Sequence, residues 1–165
     1  MLFRKLIQTT DDHWLTLVRA VLGLVFFAHG AQKVLGWFGG SGFEGTMTFF
    51  TQQMGIPALF AVLAILAEFL GGLGLLIGLL SRVAAFGIAV NMAVAVFLVH
   101  GPNGLFMNWY GNQKGEGFEY HLLALAMAVL VIARGAGAWS VDRVLEARLT
   151  GGRTWHIHME PQPSS

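Results

Sequence analysis

Long apolar blocks, interrupted by Gly-rich, aromatic or charged stretches, divide the chain into four. The first runs from Trp14 to Leu35 and, at about 1.5 Å per residue, is long enough to cross a hydrocarbon core of about 30 Å. It opens on an aromatic of the kind that collects at bilayer interfaces. The second, Ile56 to Leu80, carries Pro57 in its first turn, where a missing N–H costs nothing. Ser81 and Arg82 make the shortest connection, so Val83 to Val99 must return antiparallel beside the second block. The fourth begins near Phe118 and reaches about Trp139 only if Arg134 snorkels its charge to the interface, because Leu122 to Ala133 alone is too short to span. The pattern predicts an all-α membrane protein: a four-transmembrane-helix antiparallel bundle with helices at about 14–35, 56–80, 83–99 and 118–139.

The connections carry patterns of their own. GWFGGSGFEGTMTFFTQQMGIP is too polar to span, yet Phe43, Met47, Phe50 and Met54 recur at helical spacing, which predicts a short amphipathic helix on the membrane surface. HGPNGLFMNWYGNQKGEG reads as a loop with an interfacial or re-entrant portion. WSVDRVLEARLTGG mixes apolar and charged positions as a surface helix would, and the ending EPQPSS reads as disordered. The opening MLFRKLIQTTDDHW places two acids after a short basic run and reads as no removable signal peptide. Arg4, Lys5, Arg82, Arg134, Arg143, Arg148 and Arg153 fall on one side of this topology, against Lys33 and Lys114 near the other, which places both termini in the cytoplasm. The chain thus divides into a cytoplasmic N-terminus (1–13), a transmembrane domain (14–139) and a cytoplasmic amphipathic segment with a flexible tail (140–165).

Composition sharpens this picture. With 55% hydrophobic and 12% charged residues, the chain departs from the roughly 25% charge of soluble domains. A net charge of +1 offers no basic surface for nucleic acid. There is no Cys, so disulfide relay and thiolate-held clusters are excluded, and any redox role must use a bound cofactor. His156 and His158 in the tail read either as solvated histidines or as a metal-binding pair.

Ionisable groups inside spanning helices cost about 2.5 to 3.5 kcal/mol each at the bilayer centre, so they face the bundle interior and mark function or register. On the first helix Lys33 falls about 40° and His29 about 80° from Arg19, so all three can share one inward face with Gly23 and Gly30. His29 and Lys33 are four apart and neighbours, a pair suited to an anion or a polar headgroup. His100 closes the third helix on the same outer side, and Glu119 and His121 open the fourth. Glu68 lies near the middle of the second helix, where an Arg19–Glu68 contact needs the long Arg side chain to reach upward. Glu68 and Arg19 support two readings, a register-fixing ion pair and a direct functional role. His29 and His100 likewise read as interhelical hydrogen bonds or as site residues. Asn91 reads as an interhelical hydrogen bond. No HxxE or HxxxH spacing puts two ligands on one helical face, so no metal site is assigned. The GxxxG pair of Gly74 and Gly78 allows close helix approach, within the chain or in a homo-oligomer. Trp37, Phe38, Trp109 and Tyr110 read as an outer aromatic belt, with stacking on a quinone ring as the alternative.

The segments LVRAVLGLVFFAHGAQKVLGWFGG, MGIP, AEFLGGLGLLIGLLSR and GFEYHLLALA resemble successive signatures of the DoxX family of integral membrane proteins, a similarity covering roughly Leu15 to Ala133. That family is similar to one subunit of a thiosulfate:quinone oxidoreductase, while many members have no known reaction. The resemblance implies a multi-pass protein of the bacterial inner membrane, among membrane lipids and with a partner oxidoreductase subunit, that approaches a quinone from the outer leaflet. On this reading His29, Lys33 and Glu119 are the catalytic candidates: His29 or His100 with Glu119 moves protons, and Lys33 stabilises developing negative charge. His100, Glu68, Arg19 and Trp109 are the contacts for the redox molecule. Glu119, which matches the family signature, is expected to face the site, leaving His121 to water or headgroups. Two other classes stay open: a non-enzymatic binder or transporter of a polar solute or lipid, and a scaffold subunit of a membrane complex.

Overall fold

The computed structural model describes residues 2–150, which form helices and turns with no strand among them. Arg153, His156, His158 and the EPQPSS ending lie outside the described residues. Helix α1 is Leu2–Ile7 and α2 is His13–Leu35. Asp12 caps α2 by accepting from Trp14 N at 2.9 Å and Leu15 N at 3.1 Å, and Gly36 ends it at φ +70°. A 3₁₀ turn, Trp37–Gly39, leads to α3, Gly42–Thr48, which continues as a π turn over Phe49–Gln53. Helix α4 is Ala58–Ile77, and α5 is Ser81–Ala95, extended by a π turn at Val96–His100 and a 3₁₀ turn at Gly101–Asn103. Helices α6, Glu119–Arg134, and α7, Val141–Leu149, complete the chain.

Three stretches, His13–Leu35, Ala58–Ile77 and Ser81–Asn103, are long and apolar enough to cross a membrane. Several expected boundaries move. The second helix begins at Ala58, with Pro57 as its cap, and stops at Ile77 because Gly78 turns left-handed at φ +74°. The tight connection is therefore Gly78–Leu80, while Ser81 and Arg82 already belong to α5. The fourth helix ends at Arg134, where Gly135 adopts φ +91°, and its 16 residues fall short of the expected 118–139. The amphipathic segments predicted after the first and last blocks are α3 with its π turn, and α7.

Helix α2 packs along α4, α5 lies between α4 and α6, and α6 returns to touch α2. Leu22, Phe26, Leu75, Ile88, Ala128 and Val131 fill the space between them. The α2–α4 approach is set by glycines other than the predicted GxxxG pair. A Cβ on Gly23 would sit 2.6 Å from Leu76 N, one on Gly72 would sit 2.7 Å from Phe27 Cα, and one on Gly30 would collide with the Phe69 backbone. Gly78 lies beyond the helix, so it presents no GxxxG face. The Phe27 and Phe69 rings stack at 5.5 Å where the two backbones come together.

The end of the molecule holding α1, α7 and the α4–α5 turn is closed by two buried charges. Arg19, 2% exposed, donates to Ala136 O (2.7 Å), Trp139 O (2.7 Å), Leu76 O (3.0 Å) and Leu75 O. The last two are carbonyls of the final turn of α4, which have no partner within the helix. Asp142, 1% exposed, accepts from Leu80 N at 2.7 Å and Ser81 N at 2.9 Å, capping the start of α5. Burial pushes the Asp142 carboxyl above its ordinary value, against the pull of the two N–H groups and of Arg19. This group's contribution to stability is therefore fully present below its unfolded value and is lost as the pH rises through the folded one. Arg82 donates to Gln8 O at 3.1 Å and to the Ile132 and Ala133 carbonyls, tying α1 and α6 to the same plate.

Gly72→Ala should lower stability by about 1 to 3 kcal/mol because the α2 backbone cannot yield. Gly87→Ala, whose Cβ would meet only the Ala67 methyl at 3.5 Å, should change it little. Thermal unfolding of the two variants in detergent tests the contrast; equal losses would mean that glycine content and not the α2–α4 contact sets the sensitivity.

Candidate functional site

Every polar group in a low-dielectric interior needs a partner, and the buried stripe of each helix decides which groups are there. On α4 the buried positions Ala61, Ile65, Glu68, Gly72 and Leu75 recur every three or four residues, so Glu68 is carried inward with its apolar neighbours. Its carboxylate meets two other helices: Oε2 accepts from Lys33 Nζ of α2, and Oε1 accepts from Asn91 Nδ2 of α5 at 2.8 Å. Asn91 thus makes the interhelical bond expected of it. The Arg19–Glu68 contact does not form, because Arg19 is held by carbonyls at the opposite end.

The face shared by Arg19, His29 and Lys33 splits in the folded chain. Arg19 is buried and Lys33 partly so, but His29 is exposed, with the Tyr120 ring 6.4 Å away. Tyr120, which sequence reasoning did not single out, also lies 6.4 Å from Phe26, and its ring is 5.4 Å from His121. Its hydroxyl is buried without a hydrogen-bond partner and feels the charge of Glu68. A Tyr in the first turn of a helix carries no signal that distinguishes this role from an interfacial anchor.

His121 is 5% exposed and does not meet water or headgroups as expected; it shares the buried stripe of α6 with Ala124, Ala128 and Val131. The spacing of those small residues was the signal for its burial. Its Nδ1 has no hydrogen-bond partner, and its ring lies 4.1 Å from that of His100. His100 Nδ1 is hydrogen-bonded to Glu116 O at 2.8 Å. Two residues before His121, Glu119 points into the loop between α5 and α6, accepting from Met107 N at 3.1 Å and from Trp109 Nε1 at 3.2 Å. That loop is further fixed by Asn108 N donating to Glu116 Oε2 at 2.6 Å and Glu119 N donating to Leu105 O at 2.8 Å. Trp109 itself is 79% exposed.

The structure therefore brings Lys33, Glu68, Asn91, His29 and Tyr120 into one neighbourhood and sets His100 and His121 beside it. Glu119 and Trp109 belong to the adjoining loop, and Arg19 is remote. Among the described residues no three His, Cys, Asp or Glu side chains converge to hold a metal. The neighbourhood offers a neutralised ion pair, two buried polar atoms with unused hydrogen-bonding capacity and an imidazole at its rim, enough to hold a polar head and exchange protons with it.

Three helices long and apolar enough to cross a membrane, with ionisable groups paired between them, define a helical membrane protein with a polar cluster between its helices. The chain belongs to the DoxX family, which it matches over residues 14–101. It is 28% identical over 138 residues to "Inner membrane protein YqjF" of Escherichia coli, covering 84% of this chain and 96% of that one. An uncharacterized protein of Haemophilus influenzae is 32% identical over 132 residues, covering 79% and 89%. "Putative oxidoreductase CatD" of Bacillus subtilis is 31% identical over 107 residues, covering 65% and 69%. No solved structure matches the chain.

If the Lys33–Glu68 pair holds α2 against α4, Lys33→Met and Glu68→Leu should each destabilise by roughly 2 kcal/mol by leaving a partner uncompensated. The Lys33→Met, Glu68→Leu double variant should recover most of that loss. A double-mutant cycle in detergent checks this; additive losses would show that the two side chains act separately.

Proposed function

We propose that this DoxX-family protein is a membrane component of an oxidoreductase system that binds a quinone-like lipophilic redox molecule at the Lys33–Glu68–Tyr120–His29 cluster. The observation that carries this reading is the Tyr120 hydroxyl, buried with no partner beside a charge-paired Lys and Glu. A carbonyl-bearing head would supply the missing acceptor. Reduction of a quinone to the quinol takes up two electrons, from a partner oxidoreductase, and two protons, for which His29, Tyr120 and His121 are the nearest carriers. Lys33, already paired with Glu68, positions that carboxylate beside the site and leaves the pair without net charge. His100, Glu119 and Trp109 shape the loop beside the site, and Arg19 has no part in it. The oxidoreductase named among the relatives supports the class of chemistry.

The accompanying topology is a four-span bundle in a bacterial inner membrane with both termini in the cytoplasm. In it α6, about 24 Å long, is the fourth span and α3 lies on the outer surface. The closed end of the molecule supports this, since it gathers Arg4, Lys5, Arg82, Arg134, Arg143 and Arg148. A scaffold subunit is the second reading, favoured by the complete internal pairing of Arg19.

Decylubiquinone should quench the intrinsic Trp fluorescence of the purified protein saturably, and His29→Ala, Tyr120→Phe should weaken its binding by about tenfold. Unchanged affinity in the double variant would remove the cluster from the reading, and no saturable binding by the wild type would favour the scaffold. Because the chain has no Cys, single cysteines introduced at Phe3 and Asn112 report topology directly. In intact spheroplasts an impermeant maleimide should label position 112 and spare position 3; the reverse would invert the orientation.

A further inference from the structure

Two openings on the outer half of α2 meet at Gln32. One is lined by Leu24, Val25, Ala28, His29, Gln32 and Phe38, the other by Gln32, Lys33, Ser41, Thr46 and Phe49, with volumes of about 330 and 260 Å³. Val25, Ala28, His29, Gln32 and Lys33 recur at three- and four-residue intervals, so one face of α2 runs through both. Polarity is graded along that face. Hydrocarbon at Leu24, Val25 and Ala28 gives way to the donors of His29 and Gln32, and then to Lys33 with the hydroxyls of Ser41 and Thr46.

Phe38 gives a second, independent sign. It sits at φ 51°, ψ 32°, a left-handed conformation that a bulky side chain adopts only under constraint, and its ring is 71% exposed. Burial of the ring is not the constraint. The strained turn holds it against the His29–Gln32 face, where Gln32 Nε2 donates to Phe38 O at 3.4 Å. On the other side α3 is fixed over the second opening by Thr46 Oγ1 donating to Lys33 O at 3.3 Å, and its π turn supplies Phe49. Charge narrows the occupant. Lys33 is already neutralised by Glu68, so a phosphate would find no net positive charge, whereas a neutral head with carbonyl acceptors would find the second N–H of Gln32 Nε2, whose first is turned to Phe38 O, and the exposed His29 ring.

We propose that this α2 face, walled by Phe38 and roofed by α3, is the binding groove for an amphiphile with a neutral hydrogen-bond-accepting head and a hydrocarbon tail. The molecule enters sideways from the lipid, Gln32 binds its head, and the Leu24–Ala28 segment takes the first part of its tail. The inference rests on the redox reading only in naming the head a quinone.

The test uses the full chain in nanodiscs, titrated with decylubiquinone and separately with didecanoyl phosphatidylglycerol, for the wild type, Gln32→Leu and Phe38→Gly. Glycine accepts the Phe38 backbone without strain, so Phe38→Gly should keep or raise the melting temperature. It should still weaken decylubiquinone binding by about tenfold, as should Gln32→Leu, with the anionic lipid binding no tighter than bulk lipid. Wild-type affinity for decylubiquinone in both variants would overturn the groove while leaving the redox reading in place. Saturable binding of the anionic lipid that both variants abolish would overturn the neutral-head assignment. Binding of neither compound by the wild type would overturn the proposal together with the redox reading.

Discussion

The Arg19 guanidinium is the interaction on which the rest of the structure depends. An interior without water leaves the last carbonyls of a helix unsatisfied unless something is brought to them, and Arg19 reaches from α2 to the end of α4 to do so. Its remaining donors take the carbonyls of Ala136 and Trp139, which fixes the segment after α6 against the same point. Asp142 then caps the start of α5 from the following helix. One cation and one anion, both buried, thereby close the tight α4–α5 turn at both its helix ends. The turn can be short because the neighbouring segments supply its hydrogen bonds.

The other end of the molecule is built on a different balance. Lys33, Glu68 and Asn91 satisfy one another across three helices, yet Tyr120 Oη and His121 Nδ1 beside them have no partner. Thr10 Oγ1 and Ser81 Oγ at the Arg19 end are also buried without a partner, so what sets the Lys33 end apart is that its open groups, a phenol and an imidazole, sit beside a buried ion pair. The same end carries the two π turns, the exposed aromatic loop and Phe38 at φ 51°, while Leu80, at φ 48°, takes the left-handed position of the α4–α5 turn at the other end. The carbonyls gathered by Arg19 and the N–H groups gathered by Asp142 tie the helix ends together at one end, and the Lys33–Glu68–Asn91 set joins three helices at the other.

The family match spans residues 14–101, which contain α2, α4 and α5. Tyr120 and His121, which complete the polar neighbourhood, come from α6, beyond that segment. The three-helix portion holds the ion pair and its Asn partner; α6 adds the groups with open hydrogen-bonding capacity.

The sequence by itself determined that the chain is a helical membrane protein of the DoxX family. Twenty-residue apolar blocks admit few other solutions, and a Gly or a Pro marks the end of nearly every one. It also determined which residues would be expensive to bury, since type and position alone put Arg19, Lys33 and Glu68 inside apolar blocks. Pairing was beyond it. Whether Glu68 meets Arg19 or Lys33 depends on the stagger of α2 against α4, which Gly23, Gly30 and Gly72 set through backbone contacts that no spacing rule encodes. His121 and Glu119 were separable by the Ala124, Ala128 and Val131 stripe, but the fate of Glu119 lay in a loop whose conformation is defined by its own hydrogen bonds. Only the tertiary structure decided which charges neutralise each other and which polar atoms stay unpaired, because both follow from distances between helices, and a one-dimensional pattern records only distances along them.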